Sequence, residues 1–160
     1  MPLFVFNLDD TLVNTSRDLG GGRPLISNLT LVDGATEFLK KCGNRSVILS
    51  CGVETLQQQK IDHVGLRDLV RQVVIVPTVE KKNIRLAMFA SEADRLQCDV
   101  VVVGDRVDQE IRMGNALGCI TVRMRLPDGK HRGDMPIVRE DRPTYIVSDF
   151  FEFLRLPLRF

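Results

Sequence analysis

The chain has 160 residues, of which 44% are hydrophobic and 27% are charged, and 22 Lys and Arg against 21 Asp and Glu give a net charge of +1. This length suits one domain that buries a core without disulfides or a structural metal. The near-zero charge provides no general electrostatic attraction to nucleic acid or to an anionic membrane. Only two His residues are present, far apart, which argues against a zinc site built from His and Cys.

The predicted elements alternate between apolar strands and helices. In chain order they are a strand over 3–8, a turn-rich flexible loop over 14–33, a helix over 35–42, a strand over 46–49, a helix over 53–63, a strand over 73–76, a helix over 83–96, a strand over 100–103, a helix over 109–117, a strand over 120–124, a polar loop over 127–143, a strand over 145–147 and a helix over 149–155. Continuous apolar strands separated by helices are typical of a doubly wound parallel sheet. The sequence therefore predicts one Rossmann-like α/β domain over 1–160.

The compartment is predicted from what the sequence lacks. The four cysteines form no C-x-x-C pair, which favours reduced thiols over a disulfide framework. The longest apolar runs are too short to span a bilayer, and the N-terminus has no signal-peptide pattern. These features indicate a soluble cytoplasmic protein without a membrane partner.

Polar residues follow the carboxyl ends of four predicted strands, where open parallel sheets bind their ligands. They are Asn7, Asp9, Asp10 and Thr11 after the first strand, Ser50, Cys51 and Gly52 after the second, Glu80, Lys81 and Lys82 after the third, and Asp105, Asp108 and Glu110 after the fourth. Carboxylates suit a hard divalent cation, whereas a hydroxyl, a lysine and helix N-termini suit a phosphate. The pattern predicts a site for a cation and a phosphate at one edge of the sheet.

Four of these segments resemble, in the right order, the motifs of the haloacid dehalogenase (HAD) superfamily. Motif I is normally D-x-D-x-T-L after an apolar strand. The matching segments are Phe4 to Leu12 for motif I, Ser50 for motif II, Lys82 or Lys81 for motif III, and Gly104, Asp105 and Glu110 for motif IV. The resemblance covers residues 4 to about 125. It implies a Mg²⁺-dependent phosphatase that acts through an aspartyl-phosphate.

The resemblance also implies a role for each matching residue. Position 7 carries the nucleophile, and Asp9 acts as general acid for the leaving group and then as base for water. The implied Mg²⁺ ligands are the position-7 side chain, the Asp9 carbonyl and Asp105, with Glu110 orienting waters or binding directly. The residues expected to hold the phosphate are Ser50 and Lys82, with Thr11, Cys51 and Gly52 beside them.

Asn7 departs from this pattern, since a neutral amide is a poor nucleophile. Two explanations compete: an Asp-to-Asn change made to silence the enzyme, which the otherwise complete set of motifs favours, and a natural non-catalytic module that binds phosphate and Mg²⁺. Either explanation predicts that the chain binds both ligands and turns over little or nothing. Restoring Asp at position 7 is expected to restore phosphatase activity if the first explanation holds.

Several positions leave alternatives open. Lys82 is preferred to Lys81 on spacing, and Glu110 is preferred to Asp108, which is expected to cap the following helix. Asp10 is expected to face solvent or to cap a turn. Basic residues after the fifth strand are expected in a solvated loop or, alternatively, at the mouth of the site, where they would attract an anionic substrate. These residues are Arg123, Arg125, Lys130, His131 and Arg132.

The spacing of the motifs leaves no room for a cap domain, which in HAD enzymes follows motif I or the third strand. Only about 20 residues separate Leu12 from Asp33. A nearly capless member is expected to accept a large or macromolecular phosphate, or to have its site closed by a second subunit. The glycines at 20–22 are a candidate flap. A receiver domain is a weaker interpretation, because Val76 to Thr78 supplies no phospho-accepting Asp.

Overall fold

The structure, a computed structural model, describes residues 1–20 and 25–160 and contains one parallel sheet. Its strands are β1 (Leu3–Phe6), β2 (Ser46–Cys51), β3 (Gln72–Val76), β4 (Val100–Gly104), β5 (Ile120–Met124) and β6 (Tyr145–Val147). The strand order is β3-β2-β1-β4-β5-β6, and all neighbours are parallel. The chain runs outward from β1 in both directions, so a crevice opens between the carboxyl ends of β1 and β4.

Helices cover both faces of the sheet, as the doubly wound prediction requires. They are α1 (Thr15–Leu19), α2 (Ala35–Cys42), α3 (Glu54–His63), α4 (Val79–Arg95), α5 (Arg112–Ala116) and α6 (Phe150–Phe153). A π-helical turn over Val107–Ile111 precedes α5. Within the described ranges no helix is long and apolar enough to cross a bilayer.

An aromatic cluster forms the core on one face. Phe38 of α2 stacks on Phe153 of α6 with ring centroids 4.8 Å apart, and it meets Phe4 of β1 edge-on at 5.1 Å. Phe160 stacks on Phe4 at 6.0 Å, so the apolar C-terminal tail packs against this core. On the opposite face, valines of β1, β2 and β4 pack against α4. Burial of these side chains, worth about 1.5–3 kcal/mol each, holds β1 rigid in the centre of the sheet.

Three segments differ most from their predicted structure. Helix α4 begins at Val79 rather than 83, because the Thr78 hydroxyl accepts a hydrogen bond from the Lys81 backbone N–H at 3.2 Å and caps the helix. The helix expected over 109–117 starts as the π-helical turn and becomes α-helical only at Arg112. The segment expected as a loop over 14–33 contains α1 and a 3₁₀ turn, and residues 21 and 22 of the candidate flap lie outside the described residues.

Candidate active site

A cleft of about 300 Å³ lies at the carboxyl ends of β1 and β4. It is lined by side chains from five segments of the chain. They are Asn7, Asp9, Asp10, Thr15, Ser16, Cys51, Val79, Lys82, Asp105, Arg106, Gln109, Glu110, Lys130 and His131. The cleft thus collects most of the residues that the strand-end pattern predicts.

Asn7, directly after β1, is the centre of the hydrogen-bond network. Its amide oxygen accepts from Lys82 Nζ at 2.9 Å. Its amide nitrogen donates to Asp105 Oδ1 at 3.0 Å and to the Asp9 carbonyl at 3.1 Å. Both ends of the amide are therefore engaged, and both N–H groups of Nδ2 have an acceptor.

Lys82 and Glu110 form a buried ion pair beside Asn7. Their side chains are 8% and 4% exposed, and Lys82 Nζ donates to Glu110 Oε1. Gly104 allows this approach, because a Cβ at that position would lie 2.7 Å from the Cβ and Cγ of Glu110. Of the two candidate lysines, Lys81 is exposed and Lys82 reaches the cleft. Of the two candidate acids, Asp108 is exposed and paired with Arg106, and Glu110 reaches the cleft.

The Asp9 carboxylate is held by donors from α1 and α3. It accepts from Thr15 Oγ1 at 2.6 Å, Gln57 Nε2 at 2.9 Å and Lys60 Nζ at 2.7 Å. Burial by itself would raise the pKa of Asp9, but the Lys60 ammonium and the three hydrogen bonds outweigh burial and lower that pKa. Asp9 is therefore a carboxylate at neutral pH, suited to accept a proton rather than to donate one.

Asp105 lies in a different environment. Its pKa is raised well above the ordinary value, first by burial and then by the nearby carboxylates of Glu110 and Asp10. Asp10 itself is 4% exposed, so the expectation that it faces solvent is wrong. It accepts from the backbone N–H groups of Ser16 at 2.8 Å and Lys130 at 3.1 Å, and it fastens the loop after β5 to the cleft.

The residues expected to hold a phosphate are placed unequally. Cys51 lines the cleft. Ser50 is 1% exposed and is not among the residues that line the cleft, and its hydroxyl oxygen accepts from Gln57 Nε2 at 2.7 Å. Thr11 is fully buried, and its hydroxyl donates to the Asp9 carbonyl at 3.3 Å, so its role in binding substrate stays a prediction. Gly52 follows Cys51, and its N–H donates to the Val76 carbonyl at 3.0 Å, so that N–H is already used.

Two site residues, Gln57 and Lys60, were not predicted from the sequence. They are 2% and 6% exposed and lie three residues apart on one face of α3. A signal was present, because a Gln and a Lys occupy helix positions that share a face with the buried Ile61. Buried polar side chains require partners, and here those partners are Asp9 and Ser50.

Basic residues of the loop after β5 reach the rim of the cleft. Lys130 and His131 line it, as the alternative interpretation of this basic segment proposed, while Arg123 lies beneath the loop. The Arg123 guanidinium is 4% exposed and donates to the His131 carbonyl at 2.8 Å. His131 Nδ1 lies 2.9 Å from Asp134 Oδ2.

The donor set of this chain does not fit a hard divalent cation. Asp105 Oδ1 and the Asp9 carbonyl converge on one point, as ligands of Mg²⁺ would, but the atom at that point is Asn7 Nδ2, a hydrogen-bond donor. Within residues 1–20 and 25–160, no group of three or more His, Cys, Asp or Glu side chains is arranged to hold a metal. With an Asp at position 7, one carboxylate oxygen could accept from Lys82 while the other completed a cation site.

Comparison with known proteins identifies the family. The HAD-hydrolase-like family model matches residues 82–153. A glyceraldehyde 3-phosphate phosphatase of Methanopyrus kandleri is 32% identical over 115 residues, which cover 69% of this chain and 48% of that protein. The chain thus spans about half the length of this curated relative.

Two solved structures share the fold. A HAD phosphatase of Thermococcus onnurineus superimposes with a TM-score of 0.65 at 17% identity over 96% of both chains. The Bacillus subtilis protein YfnB, described as a HAD-hydrolase bound to magnesium, gives a TM-score of 0.56 at 21% identity over 77% of this chain and 54% of YfnB. These two structures show the fold, and the family model over residues 82–153 together with the M. kandleri relative shows that the chain belongs to the HAD-hydrolase-like family.

Proposed function

We propose that this domain binds the phosphate group of a phosphoric monoester in the cleft between β1 and β4, and that its Asn7→Asp form hydrolyses that ester. The observation that carries the proposal is the contact of Lys82 with the side chain at position 7 beside Asp9 and Asp105. The M. kandleri relative, a phosphatase by name, supports the reaction class. As it stands, the chain is expected to turn over little or nothing, because an amide is a poor nucleophile.

The proposed reaction of the Asn7→Asp form has two steps. The position-7 carboxylate oxygen attacks phosphorus, the bond from phosphorus to the ester oxygen breaks, and the ester oxygen leaves as an anion that takes a proton from solvent water. Water then attacks the aspartyl-phosphate while Asp9 accepts its proton, and the bond from phosphorus to the carboxylate oxygen breaks to release inorganic phosphate. Lys82 would stabilise the phosphoryl oxygens, with the Ser50 hydroxyl as the second donor that the family resemblance implies.

The contacts of Asp9 favour a substrate with a good leaving group. The Asp9 carboxylate is occupied by Thr15, Gln57 and Lys60, and with these donors in place we expect it to provide little acid catalysis for the leaving group. An aryl phosphate such as p-nitrophenyl phosphate releases a stable phenolate and does not depend on that proton. It is therefore the most sensitive probe of the first step.

The cation belongs to the same proposal. In the Asn7→Asp form, the Mg²⁺ ligands would be the new carboxylate, Asp105 and the Asp9 carbonyl. Glu110, held by Lys82, would lie near the waters that complete the coordination. Mg²⁺ held there would neutralise charge between the carboxylate and the phosphoryl oxygens. The supports are the convergence of two oxygens on one point and a structural neighbour described as bound to magnesium.

The test is hydrolysis of p-nitrophenyl phosphate by the original chain and by Asn7→Asp, each with MgCl₂ and with EDTA. We expect Asn7→Asp with Mg²⁺ to exceed the original chain by at least about a hundredfold in kcat/KM, since the nucleophile is gained. Asn44→Asp, at an exposed position, adds the same charge outside the cleft and is the matched control. If Asn7→Asp folds and stays inert towards a broad panel of phosphate esters, the catalytic proposal fails.

A second candidate function is a non-catalytic phosphate-binding module. It is favoured by Asn7, whose amide oxygen accepts from Lys82 and whose amide nitrogen donates to Asp105 and to the Asp9 carbonyl. Phosphate binding by both forms without turnover by Asn7→Asp would select it. In either case we propose a large phosphorylated partner, or a second subunit closing the site, because the cleft is open to solvent at Lys130 and Arg106.

A further inference from the structure

The Asn7 amide lies where it competes with a cation for the same ligands. Nδ2 is 3.0 Å from Asp105 Oδ1 and 3.1 Å from the Asp9 carbonyl oxygen, and its two protons point to these two oxygens. Mg²⁺ binds oxygen at about 2.0–2.1 Å and requires lone pairs from every ligand. A cation in contact with both oxygens would therefore collide with the N–H groups that already occupy them.

A simple flip of the amide does not relieve this conflict. Turning Oδ1 towards the cation would turn Nδ2 towards Lys82 Nζ, which now donates to Oδ1 at 2.9 Å, and would place two donors face to face. Lys82 cannot move away freely, because it is buried and paired with Glu110. A carboxylate at position 7 avoids the problem, since both of its oxygens are acceptors.

The remaining carboxylates of the cleft also have partners in the protein. Lys60 pairs with Asp9, Lys82 pairs with Glu110, and the Asn7 amide donates to Asp105. Each of these three carboxylates therefore has a hydrogen-bond donor from the protein itself. Lys82 uses two of its three N–H groups on Asn7 and Glu110, which leaves the third for an incoming anion.

We propose that the Asn7 amide nitrogen takes the place of the cation, so that this chain binds a phosphate group without a divalent metal. This inference rests on the proposed phosphate site and deepens it: the ligand is a phosphate monoester or inorganic phosphate, and Mg²⁺ is neither required nor bound tightly. Replacing Asn7 by Asp should exchange the built-in donor for a metal site. The change from cation-independent to cation-dependent binding then depends on this one side chain.

The test is calorimetric and does not depend on turnover. Mg²⁺ alone is titrated into the original chain, into Asn7→Asp and into the surface control Asn44→Asp. Inorganic phosphate is titrated into the same three proteins in EDTA and in MgCl₂. We expect Asn7→Asp to bind Mg²⁺ at least about tenfold more tightly than the other two, and to bind phosphate at least about tenfold more weakly in EDTA than in MgCl₂. Phosphate affinity of the original chain should differ less than about twofold between the two buffers.

The outcomes separate this inference from the proposed function. Equal Mg²⁺ affinity in the original chain and Asn7→Asp, or loss of phosphate binding by the original chain in EDTA alone, would overturn the inference and leave the phosphate site intact. Absence of phosphate binding in every protein and buffer would overturn both. Should Asn7→Asp fail to fold, as judged by circular dichroism, the two phosphate titrations of the original chain still decide the question.

Discussion

The Lys82 and Glu110 pair offers a direct test of how the cleft is held together. In Lys82→Met the Glu110 carboxylate, 4% exposed, loses its ion-pair partner Lys82 and stays buried. An uncompensated buried charge costs about 3–5 kcal/mol, so the free energy of unfolding should fall by that amount. Glu110→Gln should cost less, because Lys82 keeps its hydrogen bond to the Asn7 oxygen. The double variant retains neither charge, and its loss should be smaller than the sum of the single losses by about 2 kcal/mol or more.

The assay is urea unfolding of the four proteins in EDTA, with equal slopes required before the free energies are compared. Arg67 and Asp62 provide a matched control, since they form an ion pair at 2.8 Å with side chains 46% and 58% exposed. Their coupling should remain below about 1 kcal/mol. If the Lys82 and Glu110 losses add within about 0.5 kcal/mol, the two charges do not stabilise each other and the reasoning is refuted.

Two further predictions concern an ion pair outside the cleft and a glycine packed against Glu110. Arg112 donates to both carboxylate oxygens of the buried Asp141 and thereby lowers its pKa from 3.8 to about 2. This stabilisation of about 2 kcal/mol is present above pH 4 and is lost as the pH falls from about 4 to about 2. The difference in free energy of unfolding between the original chain and Asp141→Asn should therefore narrow over that range, as measured by urea unfolding at each pH. A difference that stays constant would contradict the assignment. Gly104→Ala would place a Cβ 2.7 Å from Glu110, and it should lower stability by about 1–3 kcal/mol in thermal unfolding and weaken phosphate binding in calorimetry. The control is Gly133→Ala, whose added Cβ would meet no atom of the described residues within 4 Å and should change neither quantity.

The sheet and the motif positions could be predicted from the sequence because they depend on local pattern. An apolar run such as Val100 to Val103 can satisfy its burial only as a central strand, and the first polar residues after it must then lie at the edge of the sheet. Asn7 and Asp105 follow β1 and β4, which are neighbours in the sheet, so their meeting is a consequence of the strand order.

Which side chains of a helix face the cleft depends on how the helix packs on the sheet, and the local sequence pattern does not decide this. Lys81 and Lys82 are adjacent in α4, and only the way that Leu86 and Phe89 seat this helix on the sheet turns Lys82 inwards. Asp108 and Glu110 both lie in the π-helical turn, which leaves Asp108 exposed and Glu110 buried, and the α-helix expected over 109–117 did not include this rare geometry.

The contacts between distant segments were decided by the tertiary structure alone. Lys60 and Asp9 are 51 residues apart, and Lys130 and Asp10 are 120 residues apart. Sequence alone determined the fold class and the strand-end residues, including the amide at position 7, since periodicity encodes which face of each element is buried. The folded chain decided that this amide nitrogen lies between Asp105 and the Asp9 carbonyl, because side-chain direction across elements depends on their packing against one another.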